Sequence, residues 1–177
     1  GGEFQVNSTT ASIQRYSSVT AVEGGGFVVT WSSLNQDGSG YGIYGQRYNA
    51  SGVAQGSEFH VNTTVASAQV IPAVAMNAGG GFIIAWNSNL QDGSGYGVYT
   101  QQYDAGGTAL GGEVRVATTT TNDQIYPAVA YQGGQAAVIW SGNGGGDTSG
   151  VFMQRYSASA PAGITVEDVA GENIGPL

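Results

Sequence analysis

The stretch GGGFVVTWSSLNQDGSGYGIYGQRYNASG at residues 24–52 returns, little changed, as GGGFIIAWNSNLQDGSGYGVYTQQYDAGG at 79–107. A shorter echo, QGGQAAVIWSGNGGGDTSGVFMQRY, occupies 132–156. Outward from this block the same spacing holds. EFQVN (3–7) recurs as EFHVN (58–62) and EVRVA (113–117), each 55 positions after the last. Gln14, Gln69 and Gln124 keep the step, as do Asp37, Asp92 and Asp147. The chain is three copies of one unit, expected at 1–55, 56–110 and 111–160, with 161–177 as a tail or linker strand. Self-similarity of this kind is the signature of a repeat architecture.

The second copy shows the strands most clearly. QVIPAVAM (69–76) is apolar and broken by Pro72, which suits an edge. FIIAW (82–86) is a continuous apolar run, as expected of a strand covered on both faces. VYTQQY (98–103) and EVRVA (113–117) alternate. Glycine-rich loops separate them, and no segment has helical periodicity. The pattern predicts an all-β fold of three four-stranded antiparallel units resembling propeller blades, since blades stack and cover their central strands from both sides. An open β-repeat stack or a β-solenoid is the alternative. After VFMQRY (151–156) only GITVE (163–167) offers a fourth strand, so the N-terminal EFQVN strand is available to complete a blade begun at the C-terminal end.

Composition excludes several functions. The 177 residues hold twelve acids against four bases, a formal charge of −8. The bases are Arg15, Arg47, Arg115 and Arg155, with no lysine. Nothing basic faces phosphates, so nucleic acid is not expected as a partner. Zero cysteines exclude disulfides, zinc fingers and thiol catalysis. No apolar run reaches the roughly 20 residues of a membrane helix. The chain opens on GGEFQVN without a leader, as a mature or excised fragment would.

The DGSG loops carry the most specific chemistry. Small residues let carbonyls converge with one carboxylate, an arrangement suited to a hard cation such as calcium. Asp37, Asp92 and Asp147, with Ser39, Ser94 and Ser149, are the candidate ligands. The plainer reading is a turn in which aspartate accepts backbone N–H groups and glycine supplies positive φ. Tyr41 and Tyr96, within the same loops, are candidate platforms for a sugar. Trp31, Trp86 and Trp140 read as core. Gln46, Gln101 and Gln154, each between two aromatics, read as buried amides bonded to backbone. His60, the single histidine, has no partner for catalysis. Glu3, Glu58 and Glu113 fall one per unit and form no asymmetric pair of the kind glycosidases use. No enzyme is expected from these residues.

The run from EFQVN through DGSGYGIYGQRY resembles repeats of very large bacterial secreted and surface proteins, the calcium-dependent, type I-secreted (RTX-type) adhesin-like proteins. The resemblance covers residues 1–160. It implies a bacterial, secreted or cell-surface location and a structural or adhesive array stabilised by calcium. The nonapeptide GGxGxDxUx that binds calcium in such proteins is missing, and GGGDTSGVF (144–152) only partly follows it. The readings that follow are a non-enzymatic extracellular module and, as alternative, a multivalent lectin-like module binding glycans. Open edges on a three-unit chain predict self-association into a homo-oligomer.

Overall fold

The computed structural model describes residues 2–159, with side chains to Ser157, and the backbone of residues 163–167. Twelve strands form three four-stranded antiparallel sheets, one per repeat. The first holds β1 (Gln14–Ala21), β2 (Phe27–Leu34), β3 (Tyr41–Tyr48) and β4 (Phe59–His60) in that order. The second runs β5 (Gln69–Met76), β6 (Phe82–Asn89), β7 (Tyr96–Tyr103), β8 (Ala109–Arg115). The third holds β9 (Gln124–Gln132), β10 (Gln135–Gly144), β11 (Asp147–Ser159) and β12 (Gly163–Glu167). Each sheet is an up-and-down meander, the topology that short glycine turns allow. GITVE does supply the fourth strand of the third sheet. Residues 168–177 of the expected tail lie outside the described residues.

Two local expectations are corrected. EFQVN (3–7) is extended but pairs with no strand; Phe4 instead packs on Tyr48, whose hydroxyl donates to the Val6 carbonyl at 3.2 Å. Its copy EFHVN does pair, giving β4 as the last strand of the first sheet, as EVRVA helps form the last strand of the second. Tyr41 and Tyr96, expected within loops, are the first residues of β3 and β7.

The middle sheet is sandwiched, which explains its unbroken apolar strand. Phe82, Ile84, Trp86, Tyr99 and Tyr103 on one face join Val28 and Ile43 of the first sheet in one core. Ile83, Ala85 and Val98 on the other face join Ala136, Val138, Trp140 and Tyr156 of the third. Successive residues of β6 thus serve two different cores, as the two-residue period of a strand dictates. All three tryptophans are buried; Trp86 and Trp140 fill the two cores between sheets, and Trp31 belongs to neither.

Polar residues repeated at 55-residue intervals hold each unit closed. The Gln69 amide donates to the Ala66 carbonyl and to Ser88, and accepts from Asn62. Gln14 repeats this with Ala11, Ser33 and Asn7. Gln46 and Gln101 are buried and donate to backbone carbonyls of the neighbouring strand connection, Gly56 and Gly111 among them. Glu58 ties the outer edge of its unit to the incoming loop: it accepts from the Ser8 N–H at 2.8 Å, the Thr9 hydroxyl at 3.0 Å and the Gln36 amide. Glu113 does the same with Thr63, Thr64 and Gln91. These repeated acids are structural staples.

Candidate functional site

The first strand of each sheet carries the same irregularity. Between Arg15 and Ser18, Val70 and Ala73, and Ile125 and Ala128, one extra residue interrupts the ladder. At these bulges Tyr16, Ile71 and Tyr126 adopt φ of 56°, 57° and 58°. Left-handed backbone is disfavoured for bulky and β-branched residues, so its recurrence at equivalent positions marks a built feature. A bulge bends its strand and re-aims its side chain. Here the three bulges turn toward one another, because β1 lies against β5 and β5 against β9.

A cavity of about 370 Å³ opens where they meet. Tyr16, Tyr41, Tyr96 and Tyr126 line it, with Arg15, Asn87 and Asp123 as its polar groups. The Arg15 guanidinium lies 4.6 Å from the Tyr16 ring centre and 4.3 Å from that of Tyr41, within cation–π range. Asp123 is fixed by the Tyr96 backbone, whose N–H donates to its Oδ1 at 2.9 Å. Asn87 is 1% exposed, and its amide donates to the Gln124 carbonyl at 3.2 Å. Its Oδ1 has no hydrogen-bond partner, which leaves a buried acceptor beside the cavity. Aromatic faces with a few fixed polar groups are what an apolar-faced, hydroxyl-rimmed ligand requires. The cavity thus brings together the two tyrosines singled out from sequence, and adds five residues that were not.

Those five had a signal: Arg15 stands where the other copies have Val70 and Ile125. Tyr16 and Tyr126 follow the repeated glutamines by two positions, where the middle unit has Ile71. Asp123 stands where the other copies have Ile13 and Ala68, and Asn87 where the first has Ser32. Unlike residues at equivalent positions give this cavity a lining that the repeat alone would not supply.

The aspartates of the DGSG loops lie elsewhere. Asp37, Asp92 and Asp147 each accept the N–H two residues on, from Ser39, Ser94 and Ser149, at 3.1, 3.3 and 2.9 Å. This is the Asx turn. The second oxygens of Asp37 and Asp92 are buried without a hydrogen-bond partner. The Asp37 Oδ2 lies 3.6 Å from His60 Nε2, and His60 stacks on Tyr44. Burial, helped by the Asp37 and Glu58 charges, pushes the Tyr44 phenol up to about 12. Tyr99 is pushed to about 12 by burial and by Asp92. Among the described residues no three carboxylates, histidines or cysteines gather closely enough to form a metal cluster. Ser94 serves a second purpose: its hydroxyl accepts the Asn122 N–H at 3.1 Å, joining the second and third units beside Asp123.

No protein-family model matches the chain, and no curated protein does. Solved structures do match. The chain is similar to an endo-arabinase from Bacteroides thetaiotaomicron, with TM-score 0.53 and 12% identity over 98% of this chain and 66% of that one. It is similar also to an α-L-arabinofuranosidase from Lactobacillus brevis, with TM-score 0.51 and 10% identity over 83% of this chain and 50% of the other. The chain therefore spans less than two thirds of the length of either. At such identity the likeness concerns the fold, which is all-β and propeller-like. The expectation of a non-enzymatic structural, adhesive or lectin-like module is corrected here. The two similar structures are named as an endo-arabinase and an α-L-arabinofuranosidase, and the lack of an acid pair among the repeated residues was no ground to set enzymes aside.

Proposed function

We propose that the three sheets are blades of a propeller and that the cavity at their convergence is the saccharide-binding part of a carbohydrate-active enzyme. The single observation that carries this reading is the convergence of four tyrosines, Arg15, Asn87 and Asp123 on one cavity through three matching bulges. The names of the two similar structures support a saccharide, and arabinose-containing polymers belong in the first panel of substrates.

The roles follow from the chemistry. Tyr41 and Tyr96 offer ring faces to the C–H face of a sugar, and Tyr16 and Tyr126 close its flanks. The Asn87 Oδ1 accepts a sugar hydroxyl and so satisfies an otherwise unpaired buried group. Arg15, held flat by two rings, donates to ring or hydroxyl oxygens. Asp123, anchored through one oxygen by Tyr96, is the one carboxylate lining this cavity among the described residues. It is placed to hydrogen-bond the reacting region. Two-carboxylate glycoside hydrolysis needs a second acid roughly 5–10 Å away, and these three units carry the binding surface with one member of such a pair.

The test is equilibrium binding of neutral oligosaccharides, arabino-oligosaccharides included, to the parent chain and to Asp123→Asn. The expected result is saturable binding that weakens about tenfold or more in the variant, in line with loss of a charge-assisted hydrogen bond to the sugar. Absence of binding for every oligosaccharide, or a variant that binds like the parent, contradicts the reading.

A further inference from the structure

The internal interfaces of this molecule are head to tail, so its two ends are complementary to each other. In each contact the Val28/Ile43-type face of one sheet enters the Trp-bearing face of the next. Ile43 and Val98, which make that contact for the first and second sheets, are fully buried. Their counterpart on the third sheet, Val151, is 74% exposed. Around it Met153 is 56% exposed and Ile139 41%, where the second sheet has Thr100 and Ala85 wholly buried. Among the described residues, nothing covers this plug face of the third sheet.

The first sheet presents the matching socket. In the second unit, Val61, Ile84 and Trp86 close over Val28 and Ile43, with Phe59 packed against them. The equivalent residues of the first unit are Val6, Val29, Trp31 and Phe4. They line an open cavity of about 380 Å³, and Phe4 is exposed. The space that plug residues fill between the first and second sheets is open on this face of the first sheet among the described residues.

We infer that a second copy of this chain docks here, its β10–β11 face (Ile139, Val151, Met153) seated in the Phe4/Val6/Val29/Trp31 socket. The argument rests on continuity with the two interfaces inside the chain, and is independent of the saccharide reading. A head-to-tail contact closes into a ring if its rotation permits and otherwise extends as a filament. Either way the mass exceeds that of one chain.

Sedimentation velocity from 1 to 100 µM tests this, on the parent and on three variants. Val151→Glu with Met153→Glu alters the plug, Phe4→Glu alters the socket, and Val65→Glu alters an exposed apolar residue that belongs to neither. The parent is expected at twice 18.0 kDa or more, the plug and socket variants at one chain, and the Val65 variant like the parent. Near-UV circular dichroism of the buried tryptophans confirms that each variant is folded. A parent that stays at one chain's mass to 100 µM overturns the inference, as does association undiminished in the plug and socket variants.

Discussion

Close approach, more than turn conformation, explains one invariant of the three units. In DGSGYG the last glycine, Gly42 or Gly97, has ordinary extended backbone, yet a Cβ there would lie 2.5 or 2.7 Å from the Oδ2 of Asp37 or Asp92. Gly150 stands likewise against Asp147. The aspartate turns back over the first residues of the next strand, and only glycine leaves room. Gly97→Ala is therefore expected to cost about 1–3 kcal/mol by overpacking. In an Asp92→Ala background most of that cost should vanish, as a double-mutant cycle by thermal melting would show. Trp86, fully buried between two sheets, should lose about 3–5 kcal/mol on truncation to alanine. The burial of Tyr44 and Tyr99 adds an alkaline limit. Their raised pKa means the folded state holds the phenolic proton more tightly than the unfolded chain does. That contribution is complete below pH 10 and declines as pH rises toward 12. A phenolate absorbance titration should show these two ionising after the exposed tyrosines.

At the scale of elements, the β-sheets were legible and their joints were not. The two-residue period and the glycine turns placed β5 through β7 within a few residues, because alternation and turn chemistry are local. One outer strand was misread. EFQVN has the pattern of a strand, but pairing depends on a neighbour that sequence spacing does not supply. The bulges were invisible for a related reason: Tyr16, Ile71 and Tyr126 share no residue type that signals left-handed backbone. Glu58 and Glu113 were set aside as catalytic acids on sequence, and only their partners show them to be staples. Burial alone would raise the Glu58 carboxyl, but hydrogen bonds from Ser8, Gln36 and Thr9 outweigh it and hold the group below its ordinary 4.5. The sign follows: the staple is intact above that value and weakens as pH falls through it. Glu58→Gln should flatten the decline of melting temperature between about pH 5 and pH 3, and an unchanged slope would show that Glu58 contributes nothing to it.

At the scale of the molecule, three near-identical units produce one cavity that is not three-fold symmetric. Repetition supplies the bulges; departures from repetition supply the cavity's polar groups. Arg15, Asn87 and Asp123 each occur in a single copy of their aligned positions, and all three line the same cavity. Reading the sequence by its repeats gave weight to what recurs, so the DGSG aspartates stood out and Asp123 did not. Tyr41 and Tyr96 were legible because they are aromatic, lie beside glycine-rich loops and recur in two units. That the site is one shared cavity, and not one weak site per unit, required the packing of β1, β5 and β9.

The most direct measurement is isothermal titration of the parent chain with a series of neutral oligosaccharides, arabino-oligosaccharides among them, alongside Tyr41→Ala and Tyr96→Ala. The account predicts saturable binding with one site per chain, affinity lower by about tenfold or more in each variant, and melting temperatures within about two degrees of the parent. Binding at two or three equivalent sites, or heat indistinguishable from dilution at millimolar sugar for every member of the series, would contradict it.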